Sequence, residues 1–326
     1  MKLSSFQSFS AAFLTLVLLA SPCLAADMDI MTGSSKGTYY QFGLNLQSLA
    51  RPNGINLDVV TSNGSVENIY SVYNRPNTQL GIVQSDVLAF VSRVHTDPTL
   101  KRIASKIKMV FPLYDEEIHL IGKTDIRDFD DLAGKRVAVG EEGSGTYLST
   151  KLLFKITEVT PGESVEAGTE QALALLKEGK IDAMFYVAGQ PVKLFNESIT
   201  SEDNLKVIPI TNQKAVEFYP KTEIPSGVYP WQNEAVDTIA VKAVLISYNF
   251  RNYYCEQVGR MAQIISENMD WLVKNGHPKW KSVDLDYPLK GWEQYDCVQQ
   301  KLMKVKKIEK RQEDANPVLE AIKEML

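Results

Sequence analysis

The chain has 326 residues, 44% of them hydrophobic, with 35 Lys and Arg set against 40 Asp and Glu. The net charge of −5 is spread over interspersed signs, which argues against a broad basic face for nucleic acid or anionic lipid. The apolar content is enough for one large domain or two medium ones.

Lys2 gives a short basic start, Phe13–Ala20 is apolar but too short to span a bilayer, and small residues follow at Ser21–Ala25. That layout predicts a secretory signal peptide over residues 1–25, cut after Ala25 or Ala26. A lipid anchor on Cys23 is the rival reading, and Pro22 directly before it fits that signal poorly. No later segment has the unbroken apolar run of a membrane helix, so an exported, periplasmic protein is expected. With the leader removed, Cys255 and Cys297 remain, and in an oxidising compartment an even pair predicts a disulfide. Two buried thiols are the alternative.

In chain order, Met28–Met31 reads as a strand, Thr38–Ala50 as a helix, Leu57–Thr61 as a strand and Val66–Tyr73 as a helix. Leu80–Val83 is a strand, with a helix from Asp86 to about Val94. Val137–Gly140 and Thr146–Ile156 repeat the strand–turn–helix unit, and helix Glu170–Glu178 and strand Ile181–Tyr186 follow. This alternation indicates α/β layers around mostly parallel sheets. Lys108–Gly122 and Thr238–Tyr248 are apolar runs of unusual length. Both are expected to cross between two lobes: 27–117 with 242–326 in the first, 118–241 in the second. The expected fold is thus a two-lobed periplasmic binding protein of type II character, with two mostly parallel sheets, flanking helices and two crossing hinge strands. Asn249–Asn275 reads as one long amphipathic helix ended by Gly276 and Pro278. Lys301–Arg311 carries six basic residues, but Leu302, Val305 and Ile308 recur at helical spacing, so it reads as a solvated helix face.

One pattern occurs in both proposed lobes. Gly33-Ser34-Ser35-Lys36-Gly37-Thr38-Tyr39 follows the first strand and opens a helix, and Glu141-Glu142-Gly143-Ser144-Gly145-Thr146-Tyr147 does the same after Val137. Glycine permits close approach of the backbone, the helix start offers free N–H groups, and the hydroxyls add donors. Together these suit a carboxylate, although a capped turn of this kind also occurs in any α/β protein. Neither copy has the Gly-Lys-Ser/Thr ending of a phosphate loop or the spaced glycines of a dinucleotide fingerprint, and Glu141 and Glu142 would repel a polyphosphate.

Gly33-x-Ser35-x-Gly37 formally matches a nucleophile elbow. It follows the first strand, so no preceding loop can supply an oxyanion hole, and His95, His119 and His277 lie in no recognisable catalytic setting. The scattered histidines suggest no metal site, no cofactor is indicated, and His277 reads as part of a helix-ending turn. Ser65 is expected to cap its helix, with Asn68 one turn on. Gln84-Ser85-Asp86 ends another strand, and Tyr186 and Gln190 end a strand in the second lobe. Ligands of open α/β sheets bind outside such strand ends.

Five segments together resemble the TAXI family, the extracytoplasmic solute receptors of one class of TRAP transporter. They are Thr32–Tyr40 (TGSSKGTYY), Ser65–Asn68 (SVEN), Asp131–Gly140 (DLAGKRVAVG), Gly143–Thr146 (GSGT) and Asp182–Gly189 (DAMFYVAG). The resemblance implies a monomeric, non-catalytic receptor that closes on glutamate, glutamine, 2-oxoglutarate or a similar carboxylate and delivers it to a membrane permease. By position, the implied ligand contacts are Ser35, Gly37, Thr38, Tyr39, Ser65, Gln84, Ser144, Gly145, Thr146 and Tyr186; Asn68 and Gln190 join them from the reading of the strand ends. Lys36 stands where the family has a small residue, and is read as a charge-assisted carboxylate contact or as solvent-facing. An amino-acid ligand would need a partner for its ammonium, for which Asp86, Asp115 and Glu116 are the candidates. An enzyme on the same frame and a sensor for a membrane kinase are the other function classes, separable by turnover and by a neighbouring permease gene.

Overall fold

The computed structural model describes residues 28–93, 97–251 and 253–304; the expected signal peptide, Cys23, His95 and most of the Lys-rich stretch lie outside them. The chain begins with β1 (Met28–Met31), α1 (Thr38–Ala50), β2 (Leu57–Val60), α2 (Ser65–Asn74), β3 (Thr78–Gln84), α3 (Ser85–Arg93) and α4 (Pro98–Ala104). The long strand β4 (Ile107–Lys123) leads into β5 (Arg136–Ala138), α5 (Gly145–Thr157), β6 (Glu163–Val165), α6 (Thr169–Lys177) and β7 (Ala183–Ala188). After α7 (Lys193–Ser198), β8 (Leu205–Val207), α8 (Gln213–Phe218) and β9 (Lys221–Ile224), the second long strand β10 (Val236–Tyr248) returns to α9 (Tyr253–Glu267) and α10 (Met269–Asn275). A helical segment over 296–304 closes the described chain.

The strands run in the order β2-β1-β3-β10-β4-β7-β5-β6. β1, β2 and β3 are mutually parallel, as are β5, β6 and β7. Between these parallel triplets lie β4 and β10, antiparallel to each other from Ala240–Glu117 to Tyr248–Ile107. The two expected sheets are therefore continuous through the long pair, with β8 added on β4 and β9 on β10. Buried parallel strands read as unbroken apolar runs rather than alternations, and β3 is buried at all seven positions. Each triplet is covered on both faces. Phe42, Leu46, Val258 and Met261 pack on one face of the first, and Ile69, Val87 and Leu100 on the other. Leu153 and Ala215 cover one face of the second triplet, and Leu173 and Phe195 the other.

An ionic pin fixes the second triplet. Arg136 of β5 meets Asp182, at the start of β7, through Nε at 3.1 Å and Nη2 at 2.8 Å, while Lys123 of β4 reaches the same carboxylate at 2.7 Å. These charge-assisted bonds hold the Asp182 carboxyl far below the usual carboxylate range. Cys255 and Cys297 form a disulfide that ties α9 to the segment 296–304 across 42 residues, worth about 4 kcal/mol in the chain-entropy picture.

The single helix expected over 249–275 is two. Asn268 leaves helical geometry (φ −124°, ψ 25°) and its Nδ2 donates to Ile264 O, competing with the helix ladder. Gly276 and the 3₁₀ turn Pro278–Ser282 end α10 as the sequence implies, and His277 caps that turn by accepting from Lys279 N.

Candidate functional site

The carboxyl ends of the two parallel triplets face each other across a cavity of about 350 Å³. Four helices start there. Gly37-Thr38 opens α1, Gly64-Ser65 opens α2, Ser144-Gly145-Thr146 opens α5 and Gly168-Thr169 opens α6, and all of these residues line the cavity. A helix start leaves N–H groups without intrahelical partners and carries the positive end of the helix dipole, so four of them converge on one volume. Among the described residues no Lys, Arg or His side chain lines it.

In the first half, Asn68 ties the strand ends together. It is fully buried, its Nδ2 donates to Thr32 O and to Ile82 O at 2.7 Å each, and its Oδ1 accepts from Ser62 Oγ at 2.6 Å. Both donors and the oxygen of its amide are thus engaged by the loops after β1 and β2 and by β3 itself, and it does not line the cavity. Ser65 is not the cap of α2. Gly64 holds that position at φ +121°, a conformation that L side chains rarely adopt, and Ser65 Oγ instead accepts from Gln84 N at 3.1 Å.

In the second half, Ser144 caps α5 by accepting from Tyr147 N at 3.1 Å, and Thr146 Oγ1 accepts from Val187 N at 3.1 Å. The halves touch around the cavity. Val66 N donates to Gly143 O at 3.3 Å, Thr38 Oγ1 to Gly189 O at 2.6 Å, and Ser149 Oγ to Asp86 Oδ2 at 2.7 Å. Tyr219 OH adds a second bond to Asp86 Oδ2 at 3.1 Å. Burial holds the Asp86 carboxyl above the usual range, against the pull of these two donors. Gly145 sits so close to the first half that a Cβ would collide with Gln84 Oε1 and fall 2.7 Å from Ser65 Oγ. Opposite it, Tyr186 OH lies 2.9 Å from where a Gly37 Cβ would be.

β4 carries two adjacent buried acids that the strand's alternation sends to opposite faces. Glu116 is 1% exposed, lines the cavity, and its Oε2 accepts from Tyr39 OH at 2.7 Å. Burial raises its carboxyl well above the usual range; Tyr39 opposes this, and nearby Asp86 and Glu117 reinforce it. Glu117 turns away to a buried ion pair with Lys279 and accepts from Gln190 N at 3.0 Å. Its carboxyl is raised by burial too, with Lys279 acting against the shift.

Of the residues expected at the site, Gly37, Thr38, Tyr39, Ser65, Gln84, Ser144, Gly145, Thr146 and Tyr186 meet at the cavity. Ser35, Lys36, Asn68 and Gln190 do not line it. The Ser35 carbonyl accepts from Gln41, Lys36 lies 3.7 Å from Glu170, and Gln190 Nε2 donates to Glu223 O. Asp115 is half-exposed and paired with Lys242 at 2.6 Å. The rim formed by Gly168–Gln171 carries no motif of its own, yet its Gly-Thr pair at a helix start repeats Gly37-Thr38 and Gly145-Thr146.

Nothing at Ser35 builds a nucleophile–base pair among the described residues. His119 is buried and neutral, its pKa lowered to about 3 by desolvation. Its Nδ1–H donates to Glu117 O at 3.0 Å, so Nε2 accepts from Tyr229 OH at 2.7 Å. The described residues hold no group of three or more His, Cys, Asp or Glu placed for a metal ion, and no helix of them is long and apolar enough to cross a membrane.

Two parallel α/β halves joined by a long antiparallel pair, with a cavity between their strand ends, define the two-lobed solute-binding protein fold. The sequence model of the NMT1-like family matches residues 30–292, and the chain belongs to that family. It is similar in structure to a protein from Bordetella bronchiseptica RB50, at 14% identity, 82% of this chain, 78% of that one and TM-score 0.50. It is also similar to the substrate-binding protein of an amino acid ABC transporter, at 13% identity, 77% and 99% coverage and TM-score 0.48. A third is the GluR0 ligand-binding core from Nostoc punctiforme in complex with L-glutamate, at 17% identity, 78% and 96% coverage and TM-score 0.46. At these identities the likeness is one of fold.

Proposed function

We propose that the chain is a periplasmic receptor of a TRAP-type transporter of the TAXI class, exported by cleavage of residues 1–25. It captures a small carboxylate such as glutamate, glutamine or 2-oxoglutarate by lobe closure, and its partner is the membrane permease. It acts as a monomer, without cofactor or turnover. The lobes are residues 27–117 with 242–326, and residues 118–241, hinged on β4 and β10. The observation that carries this reading is the convergence of four helix starts, two from each lobe, on one cavity that no basic side chain lines among the described residues. Such a site suits a single carboxylate, bound by N–H and hydroxyl donors rather than by a charge pair. Its volume lies near the small end of the roughly 300–1,000 Å³ range of ligand pockets.

Gly37, Thr38, Tyr39, Ser65, Gln84, Ser144, Gly145, Thr146 and Tyr186 are the proposed contacts. Asn68 and Gln190 act by positioning the loops, and Lys36 stands at the mouth with Glu170. A ligand touching both lobes stabilises the closed form by its differential affinity for it. Thermal-shift screening of the chain from residue 27 onward against carboxylic metabolites, with hits checked by calorimetry, tests this. A true ligand at 100 to 1,000 times its Kd adds roughly 3–4 kcal/mol, visible as several degrees. Stability unmoved by every carboxylate, or conversion of a carboxylate to product, overturns the receptor reading.

A further inference from the structure

Among the described residues, three acids line the cavity that would seat a carboxylate: Glu116, Glu141 and Glu170. Glu141 and Glu170 are exposed, and Lys36 partly offsets Glu170 at 3.7 Å. Glu116 is different: it is almost wholly buried, and its one neutral donor among the described bonds is Tyr39. Lys279, the cation that acts on it, is already committed to Glu117. A buried carboxylate without a cationic partner is costly, and a ligand that brings a positive charge removes that cost. A ligand with two carboxylates and no cation would instead add like charges to three acids.

Tyr39 connects the two chemistries. It is the second residue of α1, so its backbone belongs to one of the helix starts while its hydroxyl holds Glu116. A carboxylate seat and a buried acid that an approaching cation would ionise thus lie within one tyrosine side chain of each other, the arrangement that a zwitterion matches. We propose that the ligand is an amino acid, with Glu116 the residue that receives its ammonium group and so selects it over the corresponding 2-oxo and 2-hydroxy acids. This rests on the receptor reading and narrows it, setting glutamate and glutamine above 2-oxoglutarate.

The experiment is calorimetric titration of matched series that differ only at the second carbon: glutamate, 2-oxoglutarate and 2-hydroxyglutarate; alanine, pyruvate and lactate. The expected result is that, in the series that binds, the amino acid is at least about thirtyfold tighter than its oxo and hydroxy partners. Glu116→Gln should lose most of that preference, through a fall of at least about tenfold for the amino acid with the oxo acid unchanged or tighter. Tyr39→Phe retains the carboxylate, keeps the measurement available should Glu116→Gln fail to fold, and should reduce the preference several-fold. Equal or tighter binding of the oxo acid by the natural protein overturns the proposal, as does an undiminished preference in the folded variant. If no member of either series binds and the wider carboxylate screen is also blank, the receptor reading falls first and this one with it.

Discussion

His119 shows how a single buried residue sets a pH limit. Its ring is enclosed by Phe195 and Tyr229, and its two nitrogens are spent on Glu117 O and Tyr229 OH. Tyr229 OH in turn accepts from Val192 N at 3.2 Å, so the neutral imidazole helps to fix the loop that carries Gln190. The folded pKa is about 3, lowered by burial from 6.5. Below pH 6.5 the unfolded chain therefore binds a proton that the native chain refuses, and stability falls as pH drops from 6.5 toward 3. Full development of that shift amounts to on the order of 4–5 kcal/mol. Buried Asp86 and Glu116, whose carboxyls are raised, act in the opposite sense, because the native form holds their protons more tightly than the unfolded one. A variant isolates the histidine from them. His119→Gln keeps an acceptor for Tyr229 but cannot titrate; it should cost about 1 kcal/mol at pH 7.5. Between pH 6.5 and 4 it should then lose stability more slowly than the natural protein. Urea midpoints measured across that range check it, and parallel pH profiles would remove His119 from the account.

At the scale of elements, α5 depends on one glycine at its first position. Gly145 needs no unusual backbone angle, so alanine there is conformationally allowed and suits a helix. What forbids it is the neighbour: a Cβ would meet the Gln84 amide and the Ser65 hydroxyl of the opposite lobe. Gly145→Ala should leave the circular dichroism spectrum and the melting temperature of the ligand-free protein close to those of the natural chain. It should weaken ligand binding by about tenfold or more, roughly 1.4 kcal/mol, because the strain arises only when the lobes meet. Equal affinity with an unchanged fold would show that α5 does not approach the first lobe in the bound state.

Much of this was legible in the sequence, since strand, glycine, hydroxyl and helix start follow one another in order. Gly37-Thr38 and Gly145-Thr146 were visible by repetition. Three features were not legible, each for its own reason. Asn68 reads as a ligand contact because it lies one turn past Ser65 on the same helix face, but its amide makes three internal hydrogen bonds, to Thr32 O, Ile82 O and Ser62 Oγ. Asn268 breaks a helix whose apolar pattern continues through it, a local competition that periodicity does not register. Glu116 could be named only as one of three ammonium candidates with Asp86 and Asp115, and it takes the fold to place it at the cavity while Asp115 pairs with Lys242 outside it.

For the molecule as a whole, the proposed receptor function raises the question of what balances a closed form against an open one before ligand arrives. The long pair β4–β10 is continuous across both lobes, so closure must bend or twist it rather than open a gap in the sheet. Contacts across the cleft join Leu148 of the second lobe, buried beside Val66 and Val87 of the first, to several polar bonds, and one of those bonds has a built-in cost. Asp86 of the first lobe is buried against Ser149 and Tyr219 of the second, and two hydroxyl donors replace the water that a carboxylate would otherwise keep. A receptor benefits from such a tension, because apparent affinity falls by the fraction of molecules in the binding-competent state, and ligand contacts then decide the equilibrium. Two substitutions separate the terms. Asp86→Asn keeps an acceptor for both hydroxyls and removes the charge, so the ligand-free protein should close more readily. Its radius of gyration by small-angle scattering should fall toward the liganded value, and affinity should rise roughly fivefold, about 1 kcal/mol. Asp86→Ala removes the acceptor and leaves both hydroxyls unmatched on closure, so it should stay open and bind more weakly than the natural protein. Opposite shifts in the two variants are the mark of a contact made only in the closed form. Identical scattering curves and affinities in all three proteins would place the Asp86 cluster outside the closing motion.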